Sequence, residues 1–562
     1  MSICSSPQSS SSIFIKYKNG FIALFLFLLV LVSLTATEKD IGVTWDEPDY
    51  FVAGYQYGQW YSLLVSDPAK AFNRDSIDQF WDSNHLHPPV SKAFSGIAFV
   101  ISQPFLTGTV RARLGNMIVN SLAISFIFLL VARQFTVWSG LLAAFCLLTL
   151  PRYFYHSHLS ALDVPVSSLM VITLYYFWVT RDDRRWRYDI GLGLLFGLAV
   201  GTKINAAFIA PSLFIWTIIF NRNAHLFRRL LMMGVVGVIT WVAIWPWMYF
   251  DTFIRIKDFI GFMTDNHYQI GQWYLGKFYL PPPWHFPWVM LVAVTPTVLM
   301  VFALFGTYAT LANKQTRSFG GFLLIHALVP MLILSLGITM VYDNDRLFMP
   351  AFPFLMALAG IGIAIFINWL QQKLSLSESA FTKRGMFTGV VLLVLVFPYL
   401  HYSGKMYPHL LSYYSASVGG LPGAKKMGLE ATYWSDTYKE VIPFINKNAK
   451  PDDIVWVQEW SQQVMFTYQF TGTLRADVKL AGAYEIPDFY RPWDHTTTIA
   501  NYEDADFVVF QHRESYFGKD ELNSPLHKWL QVQKPVMQIE RDGVILLSVY
   551  QNHKKSSLSK ND

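Results

Sequence analysis

The stretch GFIALFLFLLVLVSLTATEKDIGVTWDEPDY fills residues 20–50. From Gly20 to Thr37 it carries no charge, which is about the length of helix needed to cross the hydrocarbon core of a bilayer. Lys16 and Lys18 precede it with no acid beside them, and the small residues Thr35-Ala36-Thr37 close it, as in a cleaved leader. The run is long enough to span and lacks an A-x-A site, so it reads as a retained anchor. Just past it, two adjacent carboxylates, Asp46 and Glu47, stand among Trp45, Tyr50, Phe51 and Tyr55. That is an aromatic interface belt with acids in it, at the point where the chain leaves a membrane.

Composition extends the reading to the whole chain. Of 562 residues, 53% are hydrophobic and only 15% charged, against about a quarter charged in soluble domains. Apolar runs recur at 114–132, 137–153, 163–180, 189–201, 205–220, 230–249, 287–311, 319–341, 347–370 and 386–402, giving about eleven spans with the first. The expected fold is a polytopic α-helical membrane protein. The formal charge of +6 comes from basic residues in short loops, which excludes a nucleic-acid reading. Cys4 and Cys146 lie far apart and define neither a disulfide framework nor a metal cluster.

Two ambiguities are settled by the distribution of positive charge. With the count above, Arg133, the 181–187 arginines, Arg222, Arg228, Arg229, Lys314, Arg317, Lys383 and Arg384 share the side of Lys16 and Lys18. Letting 93–106 span would export the arginines at 181–187, so that piece is read as interfacial or re-entrant. The same rule demands a turn near Gly201-Thr202-Lys203 inside 189–220. The division expected is a cytoplasmic tail at 1–19, a membrane module at 20–402 with outer loops 38–113 and 250–286, and an extracytoplasmic region at 403–562. In that last region, DDIVWVQ (452–458), ADFVVFQ (505–511) and GVILLSVY (543–550) alternate with helix-like 437–448 and 459–470, the pattern of a small soluble α/β domain. Low complexity is confined to the serine-rich 5–12.

Chemistry must come from the outer polar residues. A partly desolvated Asp46 gains basicity suited to a general base, where a bland loop acid would be solvated. In SNHLHPPVSK (83–92) the proline pair stiffens the turn that carries His87. PRYFYHSHLSALDVP (151–165) places Arg152, His156, His158 and Asp163 at the outer ends of two spans. Asp163 is placed to cap its helix, and the H-x-H pair lacks a third ligand for a metal. In VYDNDRLFMPAFP (341–353), Arg346 and Tyr342 lie just outside a span; Asp343 or Asp345 would pair the arginine, or a phosphate would take it bidentately. Lys203 in GLAVGTKINAA (197–207) either snorkels outward or meets the same anion.

Taken in order, TWDEPDYFVAGY, HPPV, RARLGNMIVNSL, PRYFYHSHLSALDVP and GLAVGTKINAA resemble the GT-C superfamily of polyprenyl-phosphate-sugar-dependent glycosyltransferases over residues 15–370. The branch most resembled contains protein O-mannosyltransferases and lipid A aminoarabinose transferases. The resemblance implies an inverting transfer of a sugar from a polyprenyl-phosphate donor to an extracytoplasmic lipid, glycan or protein, in a bacterial inner membrane. Asp46 would be the catalytic base, Glu47 its supporting neighbour and Asp163 the acid that orients substrate. Arg346 would contact lipid phosphate, with Tyr342, Lys203, His87, His158 and Arg113 as further substrate contacts. No cofactor is implied, and a divalent metal stays open. One departure is His87, which stands where aminoarabinose transferases carry a lysine. The competing class is a transporter or flippase of lipid-linked sugars, which would put its polar site near mid-membrane and show paired repeats.

Overall fold

A computed structural model of the chain describes residues 13–85, 87–264, 270–337, 341–375, 381–458, 461–482, 498–516 and 524–552. The serine-rich tail with Cys4, and residues 265–269 of the outer loop expected at 250–286, lie outside these.

The apolar runs become helices. They are α1 (Ile13–Thr37), α2 (Glu47–Ser66), α3 (Val90–Ser102), α4 (Val110–Gln134), α5 (Val137–Leu148), α6 (Asp163–Thr180), α7 (Trp186–Val200), α8 (Ile209–Phe220) and α9 (Ala224–Ala243). After a hairpin of β1 (Gln272–Tyr274) and β2 (Lys277–Tyr279) follow α10 (Phe286–Val294), α11 (Thr297–Ala312), α12 (Arg317–Ser335), α13 (Phe352–Lys373) and α14 (Phe381–Met406). Among the described residues, seven helices are long and apolar enough to cross a membrane, or eight if one bent pair is counted as a span. The molecule is therefore a multi-span membrane protein.

Where the helices depart from the expected runs, prolines and glycines give the reason. The run 287–311 is broken between α10 and α11 by a bend of 113° at Thr295-Pro296, because a proline disfavours helix at the residue before it. The run 137–153 stops at Leu148 and restarts at Pro151 as a six-residue helix. The turn expected in 189–220 is present: α7 ends at Gly201, Lys203 is extended, and a 3-10 turn leads into α8. Residues 90–102 form a 13-residue helix, about 20 Å long at 1.5 Å per residue, which packs against α2 and α4.

Residues beyond α14 wrap back onto the helices before forming a sheet domain. Its six strands are β3 (Ile454–Val457), β4 (Lys479–Gly482), β5 (Thr498–Ile499), β6 (Phe507–Gln511), β7 (Met537–Arg541) and β8 (Val544–Gln551). They lie in the order β5-β4-β3-β6-β8-β7, with β5, β4, β3 and β6 parallel and β8 antiparallel to both β6 and β7. The core of this domain contains Val43, Phe51 and Ala112 from the membrane part. The loop that bears Asp46 is thus built into the sheet domain's core. Val43 N–H donates to the Tyr468 hydroxyl at 2.7 Å, fixing the loop's height over the helices.

Candidate active site

The polar residues singled out by the sequence sit at helix ends, and three carboxylates among them meet on one guanidinium. Asp163 is the first residue of α6, but its side chain makes no cap. Its Oδ1 accepts from Lys203 Nζ at 2.6 Å and its Oδ2 from Arg346 Nε at 3.2 Å. Lys203 follows α7 and Arg346 opens the 3-10 turn that leads into α13, so three separate elements converge. Arg346 Nη2 donates to Asp46 Oδ2 and Nη1 to Asp343 Oδ2, each at 2.6 Å. The acid partner expected at Asp343 or Asp345 is therefore Asp343, with two further carboxylates beside it. A guanidinium this buried is tolerable only because it is paired on every side.

Asp46 is the open edge of the cluster. About a quarter of its side chain (26%) is exposed, against 1% for Asp163 and 0% for Asp343. Burial raises its carboxyl above the ordinary range, Asp343 and Asp163 add to this, and Arg346 opposes it. The residue does not lie in an extended loop: residues 45–46 form a turn, and Asp46 precedes the first residue of α2 without capping it. Its carboxylate is left for Arg346.

Glu47 turns the other way. Fully buried, it accepts from Arg113 Nε (2.8 Å) and Nη2 (2.6 Å), from Ser160 N–H (2.9 Å) and from Thr44 N–H (3.0 Å). Arg113 also reaches Glu38 and the Gly42 carbonyl. Glu47 and Arg113 together bolt the loop onto α4, and neither faces Arg346. His158 bonds Thr37 Oγ1 at 2.8 Å and backbone carbonyls, while His156 meets the Tyr433 hydroxyl at 3.3 Å. Burial lowers both imidazoles to about 4. Among the described residues no group of His, Cys, Asp or Glu is arranged to hold a metal ion. The His87 ring lies edge-on to Tyr50 and Phe262, and its carbonyl accepts from the buried Lys92 Nζ at 2.8 Å. Tyr342 stands 5.8 Å from the Arg346 guanidinium.

Two residues at the cluster, Arg513 and Trp434, escaped the sequence reading. Arg513, from the sheet domain, bonds Asp343 at 2.7 Å and Glu430 at 3.3 Å and lies over the Trp45 ring. Arg152, which the sequence did single out, bonds Asp345 at 2.6 Å. The indole of Trp434 lies over Arg346, its centroid 3.9 Å from the guanidinium carbon. Only the Tyr-Trp pair at 433–434, between a glycine turn and a polar stretch, could have drawn attention to it.

This fold has known relatives. Residues 86–250 match the family described as dolichyl-phosphate-mannose-protein mannosyltransferase. Among solved structures, ArnT from Cupriavidus metallidurans bound to undecaprenyl phosphate is similar with a TM-score of 0.51 and 14% identity, over 94% of this chain and 98% of that one. Its apo form gives the same score and identity over 95% and 98%. The archaeal oligosaccharyltransferase AglB from Archaeoglobus fulgidus, in complex with an inhibitory peptide and a dolichol-phosphate, scores 0.49 at 12% identity, over 97% of this chain and 75% of that one. No curated protein matches the sequence. A multi-span helical bundle with a small C-terminal sheet domain on this plan is the GT-C fold. The family match spans residues 86–250, under a third of the chain, and the likeness to ArnT shows that the two share a fold.

Proposed function

We propose that the protein is an inverting glycosyltransferase that moves a sugar from a polyprenyl-phosphate donor to a hydroxyl-bearing acceptor outside the cytoplasm. The observation that carries this is the half-open ion pair between Asp46 and Arg346, backed by Asp163 and Lys203. The donor phosphate takes the guanidinium and ammonium of Arg346 and Lys203, whose planar fork and point charge suit phosphate oxygens. Asp46, released from Arg346, removes the proton of the acceptor hydroxyl. The acceptor oxygen bonds the anomeric carbon from the opposite face, the carbon–oxygen bond to the phosphate breaks, and polyprenyl phosphate leaves with the electron pair. Because phosphate is already a good leaving group, one carboxylate and a cation suffice, without the paired acids of a glycoside hydrolase. Asp163 acts through Lys203 and Arg346, holding both in place.

Every residue in this scheme lies at the end of a helix, which supports an interfacial enzyme over a flippase with a mid-membrane site. The similar structure of ArnT bound to undecaprenyl phosphate supports the choice of donor class. The test is transfer of radiolabelled sugar from a polyprenyl-phosphate donor to envelope lipids, glycans and proteins by purified, reconstituted protein. Asp46→Asn, eluting as folded protein from a sizing column, should lose about a hundredfold to ten-thousandfold in rate. Near-normal turnover by that variant would refute the role of Asp46.

A further inference from the structure

The sheet domain meets the membrane part at a place where backbone strain and unpaired polar atoms coincide. Trp434 and Ser435 both adopt left-handed backbone, with φ of 67° and 62°. A bulky residue rarely does so, and it persists only where surrounding contacts over-determine it. Those contacts are present. The Trp434 carbonyl accepts from Trp45 N–H at 3.2 Å, one residue before Asp46. Ser435 N–H donates to Gln511 Oε1 of β6 at 3.3 Å, and its hydroxyl pairs with that of Ser461 at 2.7 Å. Gly42 lies against the following residue so closely that a Cβ there would come within 2.1 Å of the Asp436 carbonyl oxygen. The turn is thus clamped between β6 and the loop that carries Asp46, and the clamp presses the indole onto Arg346.

The indole itself is incompletely paired. Trp434 is fully buried, yet its Nε1–H has no hydrogen-bond partner among the described residues. Leaving a buried indole donor unmet is costly. Trp81, Trp241, Trp245 and Trp456 also lack a partner among the described residues, but of these five only Trp434 lies over a guanidinium. A strained turn that delivers an unpaired donor beside the one guanidinium shared by Asp46, Asp163 and Asp343 is poorly explained by packing alone.

We infer that Trp434 is a substrate-contacting residue supplied by the C-terminal domain: its face fixes the plane of Arg346, and its Nε1–H donates to an oxygen of the bound donor. That oxygen belongs either to the lipid phosphate or to a hydroxyl of the sugar. The inference rests on the transfer reading above and adds to it a hydrogen-bond donor from a domain outside the motifs of the resemblance.

The test replaces Trp434 with benzothienylalanine, which keeps the ring's size and exchanges the N–H for sulfur, alongside Trp434→Phe. Wild type and variants are titrated with a sugar-free polyprenyl phosphate and with a sugar-bearing donor, and their melting temperatures are compared. The expected result is melting no lower than wild type for the benzothienylalanine protein, with affinity about tenfold weaker. Weakening toward both ligands assigns the bond to a phosphate oxygen; weakening toward the sugar-bearing donor alone assigns it to a sugar hydroxyl. Unchanged affinity for both, whatever the melting temperature, overturns the inference. Wild-type protein that binds neither ligand overturns the transfer reading and this inference with it.

Discussion

Asp46 shares Arg346 with two other carboxylates, so the donor phosphate proposed to bind that guanidinium would have to displace one of them. Asp163 and Asp343 are closed in, and Asp163 is also held by Lys203. The exchange therefore falls on Asp46. On the proposed mechanism, the base is occupied by its ion pair until donor binds and frees it beside the acceptor, which would link binding to activation. Asp46→Asn removes the competitor for Arg346, and it should bind a short-chain polyprenyl phosphate several-fold more tightly than wild type while failing in transfer. Isothermal titration in detergent measures this. Equal or weaker binding would rule out the exchange, and the same tightening in Asp49→Asn would reduce it to a general charge effect. The acid's raised position gives a second expectation. A carboxyl held above its ordinary range is protonated, and useless as a base, at pH values where a solvated aspartate is already ionised. The rate kcat/KM should rise with pH across a value above the ordinary carboxylate range of about 4, and any residual rate of Asp46→Asn should lack that rise.

At the scale of elements, α11 and α13 pack so closely that each helix has a glycine where the other's backbone passes. A Cβ on Gly306 would lie 2.0 Å from the Leu358 carbonyl oxygen, and one on Gly362 would lie 2.2 Å from that of Phe302. Small residues that let helix backbones touch are a recurrent basis of packing inside membranes. Gly362→Ala should force the pair apart and cost about 1–3 kcal/mol, the usual range for overpacking, read as a lower melting temperature in detergent. Gly362 lies in the body of α13, well along the helix from Arg346, so transfer per folded molecule should hold near wild type. An unchanged melting temperature would show that the helices separate freely there. Elements of this kind were legible because apolar length and alternation are local properties: the apolar helix at 20–37, the turn near Gly201 and the strands in DDIVWVQ, ADFVVFQ and GVILLSVY could each be read from a short stretch. The 113° bend at Thr295-Pro296 was overlooked because the apolar run continues through the proline. Asp46, Asp163, Lys203 and Arg346 stood out as charges at the ends of apolar runs, which is where a polar side chain needs a partner. Trp434 and Arg513 carried no such mark. Arg513 reaches Asp343 across 170 residues of chain, and only the folded sheet domain creates that contact.

The whole molecule is polarised along its helices, and that polarity sets a topology. Helix α6 begins at Asp163, inside the candidate site, and ends at Thr180, about 27 Å away at 1.5 Å per residue. At the far end Thr180 accepts from Arg229, which with Arg228 also grips Asp189, so the arginines of 181–187 and 222–229 gather there. Basic loops collect on the cytoplasmic face of membrane proteins. The arginine end should therefore be cytoplasmic, and the site, the sheet domain and the half-open Asp46 should face the other side. Single cysteines introduced in a Cys4→Ser background read this directly, since Cys146 is buried and silent. Asn448→Cys lies at the exposed end of a helix in the C-terminal domain, and Arg184→Cys lies exposed among the arginines. A membrane-impermeant maleimide added to intact cells or spheroplasts should label the first at once and the second only after lysis. The opposite pattern would put Asp46 in the cytoplasm and remove the case for transfer outside it. Labelling of both before lysis would mean leaky cells, which a cytosolic marker protein, cysteine-bearing and expressed alongside, would expose by reacting too.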